Sequence, residues 1–324
     1  MTLPILGIDI AKLKFNVCLI NPQGKLKHKV FANTDTGFEQ LAAWLVKQAA
    51  QRAHACMEAT GAYGEALALH LYTAGHMVSV VNPAAIKAFA GSRLSRTKTD
   101  RVDAELIARF CRVQQPLAWT PPAAEVRQLQ ALVRRLESLV EMHTMESNRL
   151  EAIITNDVVK ASVEAHINYL DQQIEQTEAL IRTHVNAHPR LKQQSELLDS
   201  IPGIGEATAA TLLAEITDIT QDESARQVAA YAGLVPRARQ SGSSVRGRTR
   251  LSKIGNARVR RALYFPAITA LRCSPFFQAW AAGLRERGKC KMSVIGAAMR
   301  KLIHLAYGVL KTGKPFDPAW AKSA

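Results

Sequence analysis

Two short apolar segments in the N-terminal third each end on an acid. "PILGID" closes on Asp9, and "AHACMEATG" carries Glu58 at the end of its apolar run. Apolar runs of this length, bounded by turn residues, read as core strands. The segments around them alternate in period. "FNVCLI", the turn "NPQG" and "LKHKVFAN" read as a β-hairpin. "TDTGFEQLAAWLVKQA" has cap residues followed by apolar spacings of three and four, an amphipathic helix. "YGEALALHLYTAG" is a helix stopped at Gly75, "MVSVVNP" is a further core strand, "AAIKAFAG" is helical, and Thr99 opens another helix. A hairpin followed by strand–helix–strand units predicts a mixed sheet flanked by helices.

"QPLAWTPP" breaks this pattern near residue 120. Beyond it Leu129, Leu132, Leu136 and Leu139 step by three and four. Val163, Ile167, Leu170, Ile174, Thr177 and Ile181 repeat the seam. These heptads suit an antiparallel helical hairpin or an intermolecular coiled coil; a plain helical bundle within one subunit reads equally well. Pro189 ends the stretch. "SIPGIGEATAATLLAEI" then has the pattern of a helix-hairpin-helix motif. Gly203 and Gly205 allow a tight turn, and exposed N–H groups at a helix start can hold a phosphate. A glycine-rich helix start with no ligand is the plainer alternative. The expected division is 1–118, 119–195 and 196–324.

Charge adds a functional constraint. The 324 residues carry a net charge of +15, and from Ile201 onward 20 Lys and Arg face 7 Asp and Glu, so 13 of those positive charges lie there. A basic domain beside a near-neutral one points to a polyanionic partner. No apolar run approaches the length of a membrane span and no leader pattern opens the chain, so a cytoplasmic protein with no membrane partner is expected. Cys18, Cys56, Cys111, Cys273 and Cys290 are odd in number and include no CxxC pair. They are read as reduced and mostly buried thiols rather than a disulfide framework or zinc site.

The acids gain meaning together. Asp9 and Glu58 end two strands, while Asp100 and Asp103 lie one helical turn apart and share a face. Singly, an aspartate at a strand end is usually a turn residue, and acids in a first helical turn are stabilised by the helix dipole. Glu58 is harder to explain locally, because glutamate is disfavoured in strands. Four acids from two strands and a later helix resemble a ribonuclease-H-like site. Hard cations such as Mg²⁺ take oxygen ligands, and two ions roughly 3.5–4 Å apart can clamp the attacking and leaving oxygens of a phosphate displacement. Arg96, Lys98 and Arg101 beside them fit a phosphodiester substrate, or form a solvated charge cluster.

"RARQSGSSVRGRTRLSK" offers hydroxyls, glycines and cations in one loop. Ser241, Ser243 and Ser244 are candidate nucleophiles. Gly242 and Gly247 permit close backbone approach, and Arg237, Arg239, Arg246, Arg248 and Arg250 can grip phosphates. No His–Asp pair is adjacent, so a protease-like triad is unsupported. Ser- and Gly-rich basic loops are usually plain phosphate-binding surface, and the residues by themselves favour that reading over a nucleophilic serine.

"GIDIAK", "EATGAYG", "KTDRVDAELIARFC", "IPGIGEATAATLLAEI", "YAGLVPR", "SGSSVRG" and "RRALYFPA" together resemble the DEDD-type insertion-sequence transposases. The resemblance runs from about Ile5 to Phe316, in the family's order, and is strongest to the members guided by a bridge RNA. It implies a RuvC-like (RNase H fold) α/β domain, a helical coiled-coil segment, and a mostly α-helical C-terminal transposase domain with a helix-hairpin-helix motif and serine loop. It further implies that Asp9, Glu58, Asp100 and Asp103 hold Mg²⁺, with Mn²⁺ as a substitute. Ser241 takes the family's nucleophile position and forms a covalent phosphoserine with DNA. The implied partners are target and donor DNA, a structured non-coding guide RNA, and further copies of the chain, as a dimer and as a tetramer in the synaptic complex. Sequence choice is then delegated to base pairing, and the protein grips backbones; with 6% aromatics, stacking signatures are few.

Two other functions use the same residues: a junction-resolving or repair nuclease with water as nucleophile, and a non-catalytic nucleic-acid scaffold. His184 and His188, four apart, lack partner ligands for zinc. Trp44, Trp119, Trp280 and Trp320 are expected as core or docking anchors, and "LRERGKCKM" as an RNA contact or a solvated turn.

Overall fold

The computed structural model describes residues 3–59, 61–92, 99–152, 156–216, 224–241 and 245–319. It divides into two compact units, Met1–Pro121 and Pro122–Ala324.

In the first unit, β1 (Ile5–Ile10), β2 (Lys14–Ile20) and β3 (Leu26–Ala32) form an antiparallel meander. Helix α1 (Asp35–Lys47) follows, its N-terminus capped by the Thr34 hydroxyl, which accepts from the Gly37 N–H. Strand β4 (His54–Glu58), a short 3₁₀ turn (Ala62–Gly64), α2 (Glu65–Thr73), β5 (Met77–Val81), α3 (Pro83–Ser92) and α4 (Asp100–Gln114) complete it. The strand order is β3-β2-β1-β4-β5, with β1–β4 and β4–β5 parallel. This is the mixed sheet expected from the sequence.

Strand parity explains the layers, since alternate residues face opposite sides. Leu6 and Ile8 of β1, Val17 and Leu19 of β2, and Ala55 and Met57 of β4 join the core with Leu41 and Leu45 of α1 and Leu67 and Leu71 of α2. Ile5, Cys18, Ile20 and Cys56 face the other way, toward Ala104, Ile107, Ala108 and Cys111 of α4. The helix lies directly on β1 because Gly7 has no side chain. A Cβ built there would stand 2.3 Å from both the Ala104 carbonyl oxygen and the Ala108 nitrogen.

The second unit is built on α5 (Ala124–Ala152), α6 (Asp157–Ala187), α7 (Pro189–Asp199), α8 (Glu206–Glu215) and α9 (Ala225–Tyr231). A two-stranded hairpin, β6 (Pro236–Ser241) and β7 (Val245–Leu251), interrupts the helices. Helices α10 (Ala257–Ala262), α11 (Tyr264–Cys273), α12 (Pro275–Glu286) and α13 (Lys291–Thr312) follow. The heptad leucines pair α5 with α6 inside one chain. His143 contacts Asp171, Glu146 contacts His166, and His184 bonds the Glu125 carbonyl, so the two helices run antiparallel. Leu129, Val133, Ile181 and Val185 at one end of the pair join the same core as α7, α8 and α13.

Helix α13 is long and apolar enough to cross a membrane by length and composition. Arg300, Lys301 and His304 interrupt its apolar residues, so no unbroken apolar run marks it. Val294, Ala298, Leu302, Leu305, Ala306 and Val309 are buried in the core of the unit, where the apolar face of a helix packs. Of the tryptophans, Trp44, Trp119 and Trp280 pack against the cores, and Trp320 lies outside the described residues.

Candidate active site

The acids on β1 and β4 share a face of the sheet. Gly7 meets α4, and Asp9 is two residues further along β1, so it faces the same side. Cys56 also packs under α4, and Glu58 is two residues beyond it on β4. The parallel register runs through Ile8 and Met57, so Asp9 and Glu58 are the next level beyond it. Both sit at the C-terminal ends of their strands, the rim where open α/β sheets bind ligands.

Helix α4 runs antiparallel to β1 and brings its first turn to that rim. Ala104 and Ala108 cover Gly7, while Asp100, one turn earlier, forms an ion pair of 3.3 Å with Lys14 of β2. The Thr99 hydroxyl accepts from the Val102 N–H and starts the helix there. Asp100 and Asp103 are therefore directed to the end of the sheet that carries Asp9 and Glu58.

These four acids offer only oxygen donors, the chemistry a hard divalent cation takes. Among the described residues, no three His, Cys, Asp or Glu side chains are gathered closely enough to hold one ion. Asp100 pairs with Lys14. That pair is about half exposed at both ends and is worth only ~0–1 kcal/mol, so it can be exchanged.

Around the acids α4 is held firmly. Glu105 accepts from Arg109 at 2.8 Å and lies 3.5 Å from His28. Burial, with Arg101 nearby, keeps the His28 ring below its ordinary pKa. Burial pushes the Cys18 thiol up to about 12, and the hydrogen bond from Cys56 together with burial raises Cys111. Cys18, Cys56 and Cys111 are free and buried, as expected of reduced core thiols, while Cys273 and Cys290 are exposed.

The serine segment is a β-hairpin rather than a loop. Arg237 pairs with Arg250, Gln240 with Arg246 and Ser241 with Val245, with an irregularity between Arg237 and Arg239. Arginines at alternate positions, 237 and 239 and then 246, 248 and 250, carry the strand period, a signal that the reading of this segment as a loop passes over. Arg237 and Arg250 are exposed. Lys98, Arg96, Gly242, Ser243 and Ser244 lie outside the described residues, as do the side chains of Ser241, Arg239, Arg246 and Arg248.

The base of the hairpin is fixed by contacts that no sequence motif announces. The Ser252 N–H donates to the Val235 carbonyl and the Lys253 N–H to that of Gly233. Gly255, at φ +135°, has no room for a side chain, since a Cβ would stand 2.2 Å from the Tyr231 carbonyl oxygen. The Asn256 side chain caps α10 and donates at 2.9 Å to Glu215, which is 5% exposed and also accepts from Arg134. A buried carboxylate with an arginine and an amide on it is a strong tether, because losing either partner strands the charge. Arg258 and Arg261 of α10 bond Glu137 and Glu141 of α5, so they are engaged within the protein.

Gly203 is required for packing. It has φ +91°, and a Cβ would meet the Pro266 carbonyl oxygen at 2.4 Å. Gly205 caps α8 without a side-chain hydrogen bond. A cavity of about 350 Å³ beside that helix start is lined by Glu178, Glu196, Asp199 and Glu206 against Arg182 and Lys192. Arg182 is itself bonded to Glu206. That balance disfavours a phosphate on this side of the turn.

Comparison with known proteins agrees with this architecture. The IS110-type DEDD transposase model, described as "Transposase", matches residues 6–156, and that of the "Transposase IS116/IS110/IS902 family" matches 195–282. The "Pilin gene-inverting protein" of Moraxella lacunata is 36% identical over 320 residues, 98% of each chain. The chain belongs to the IS110 family of DEDD transposases. The "Transposase for insertion sequence element IS1111A" of Coxiella burnetii is 25% identical over 83% of this chain and 78% of its own. Insertion element IS110's uncharacterized 43.6 kDa protein from Streptomyces coelicolor is 31% identical over 50% of this chain and 39% of its own. This transposase is thus an enzyme that recombines DNA, in a family associated with a divalent metal. Its first family match covers all four acids, and its second covers the whole serine hairpin.

Proposed function

We propose that this transposase cuts and rejoins DNA strands with two sets of groups: the acids Asp9, Glu58, Asp100 and Asp103, and the hydroxyl of Ser241. The observation that carries the reading is the common face of Asp9 and Glu58, with the first turn of α4 directed to the same rim. Mg²⁺ at the acids, with Mn²⁺ as a substitute, supplies charge neutralisation at the phosphate and at its attacking and leaving oxygens. Ser241 Oγ bonds to phosphorus as the bond from phosphorus to one sugar oxygen breaks, and that oxygen takes up a proton. Attack by the sugar hydroxyl of a second strand reverses the step and releases the serine. Each exchange conserves the number of phosphodiester bonds, so no external energy source is needed.

In this reading 1–118 is the RuvC-like catalytic part, 119–195 the coiled-coil part, and 196–324 the transposase part with its helix-hairpin-helix and arginine-rich hairpin. Target and donor DNA are selected by a structured non-coding RNA. The chain's net charge of +15 suits backbone gripping, and Lys98, Arg101, Arg237, Arg239, Arg246, Arg248 and Arg250 are the proposed phosphate contacts. The pilin gene-inverting relatives, similar over 98% of the chain, support DNA inversion as a second outcome of the same chemistry. The direct test is Asp9→Asn. Cleavage of a supercoiled donor plasmid should require Mg²⁺ and fall by about 100-fold or more in this variant, since one ligating charge at the phosphate is lost. Undiminished cleavage overturns the reading.

A dimer, and a tetramer at synapsis, are supported by the outer face of α6. At 100° per residue its charges, Asp157, Lys160, Glu164, Asp171, Glu175, Glu178 and Arg182, fall on one flank. The opposite arc carries none. Val158, Tyr169 and Leu180, spaced by 11 residues or three turns, line that arc and are 81%, 53% and 56% exposed. Ala161, Ala165 and Ala179 lie among them, so a second helix can approach closely. Tyr169→Glu combined with Ala165→Glu should shift the sedimentation profile toward monomer while leaving the melting temperature unchanged. An unaltered profile places the contact elsewhere.

A further inference from the structure

The acids have an uncharged neighbour in the same row. Asn16 of β2 is the cross-strand partner of Asp9 of β1, and Glu58 lies at the same level on β4, on the other side of Asp9. The strand order β2-β1-β4 therefore sets Asn16, Asp9 and Glu58 in line across three adjacent strands. Asn16 also shares a face with them. Cys18, two residues on, packs under α4, and Lys14, two residues back, reaches Asp100 of that helix. Directly paired residues of antiparallel strands have Cβ atoms about 4.5–5.5 Å apart.

Asn16 is only 7% exposed, in a strand otherwise filled by Phe15, Val17, Cys18, Leu19 and Ile20. Among the described residues no hydrogen bond is formed to its carboxamide. Its amide atoms are not fully enclosed, so they open to solvent at the rim of the sheet. The amide is thus a polar group on the acids' face, accessible to whatever binds at that rim.

We propose that Asn16 is a fifth oxygen donor of the acid site, its Oδ1 ligating the divalent cation that Asp9 holds. The inference rests on the reading that the acids bind such an ion. A neutral amide oxygen is a ligand that hard cations accept. It adds a donor without adding a further negative charge to four carboxylates that already repel. Its burial on a central strand fixes the rotamer in advance, so little side-chain entropy is lost on binding.

The experiment is a titration of the full-length protein with Mn²⁺, without DNA, following the free-ion signal by electron paramagnetic resonance. Wild type, Asp9→Asn, Asn16→Leu and Asn16→Asp are compared, each with its melting temperature. Asn16→Leu should weaken binding by about 10–100-fold, the usual effect of removing a supporting group at a metal site. Its melting temperature should not fall, because the amide makes no hydrogen bond among the described residues. Asn16→Asp, which keeps an oxygen in place, should bind within about threefold of wild type or more tightly. Wild-type binding by Asn16→Leu alongside weakened binding by Asp9→Asn overturns the role of Asn16 and leaves the acid site standing. Wild-type binding by Asp9→Asn removes the acid site itself. Should Asn16→Leu melt early, Asn16→Ser takes its place in the same comparison, since its hydroxyl is too short to reach the ion.

Discussion

Gly7→Ala is expected to dislodge α4 and to abolish both stable folding of the first unit and recombination. The new methyl carbon would stand 2.3 Å from the Ala104 carbonyl oxygen, 2.3 Å from the Ala108 nitrogen and 2.7 Å from the Ala108 Cα. All three are backbone atoms inside a helix, so no side-chain rotation relieves the overlap. The helix must rise about 1 Å, or the strand must bend, and either opens the layer formed by Ile5, Cys18, Cys56, Ile107 and Cys111. Overpacking of this kind costs about 3 kcal/mol or more, a large share of a typical domain's ~5–15 kcal/mol. Even where folding survives, α4 carries Asp100 and Asp103 away from the strand acids, and a misplacement near 1 Å can cost about 100-fold in rate. Urea unfolding read by circular dichroism gives the stability term. Gly91→Ala is the control. Gly91 lies within α3, nothing stands within 4 Å of the position its new methyl carbon would take, and the change should be neutral or gain up to about 1 kcal/mol. Equal behaviour of the two variants would mean that α4 does not depend on the bare backbone of β1.

The first unit is largely readable because its signals are local. Apolar runs bounded by turn residues mark β1, β4 and β5, and Thr99 with two acids in the next turn marks the start of α4. Strand parity then carries Asp9 and Glu58 to the side of Gly7 and Cys56, a consequence of alternation alone. The register that aligns Asn16 with Asp9 is not readable, since it depends on the β1–β2 connection and on which strand lies beside which. In the second unit the serine hairpin reads as a loop because glycines, serines and arginines are poor strand formers. Its strands are fixed from below, by Gly255 against Tyr231 and by Asn256 on Glu215. Those partners are 24 and 41 residues apart along the chain, beyond the reach of any local pattern. Exposure on α6 is equally hidden: the sequence shows which residues face α5 and that the opposite arc is uncharged, but only packing reveals that this arc is bare.

Ser241→Ala should eliminate covalent protein–DNA adducts and reduce strand exchange by at least about 10⁴-fold. Removing the attacking oxygen of a nucleophilic enzyme costs up to ~10⁶ in turnover, and what remains comes from the other catalytic groups. Here those groups are the acids, which can still direct water at phosphorus, so the residual product should be a nicked strand without attached protein. The substitution is mild structurally. Ser241 ends β6 opposite Val245, that pairing is made by backbone groups, and the hairpin base is held by Asn256, Glu215 and Gly255. Stability should therefore stay within about 0.5 kcal/mol of wild type. Labelled donor DNA, denatured and partitioned between phenol and water, distinguishes the products, because an adduct leaves the aqueous phase. Asp9→Asn should lose adduct and nick together, whereas Ser241→Ala should lose the adduct alone. An adduct that persists in Ser241→Ala assigns the attacking oxygen to another side chain, and unchanged nicking with no adduct even in wild type makes water the nucleophile and the chain a nuclease.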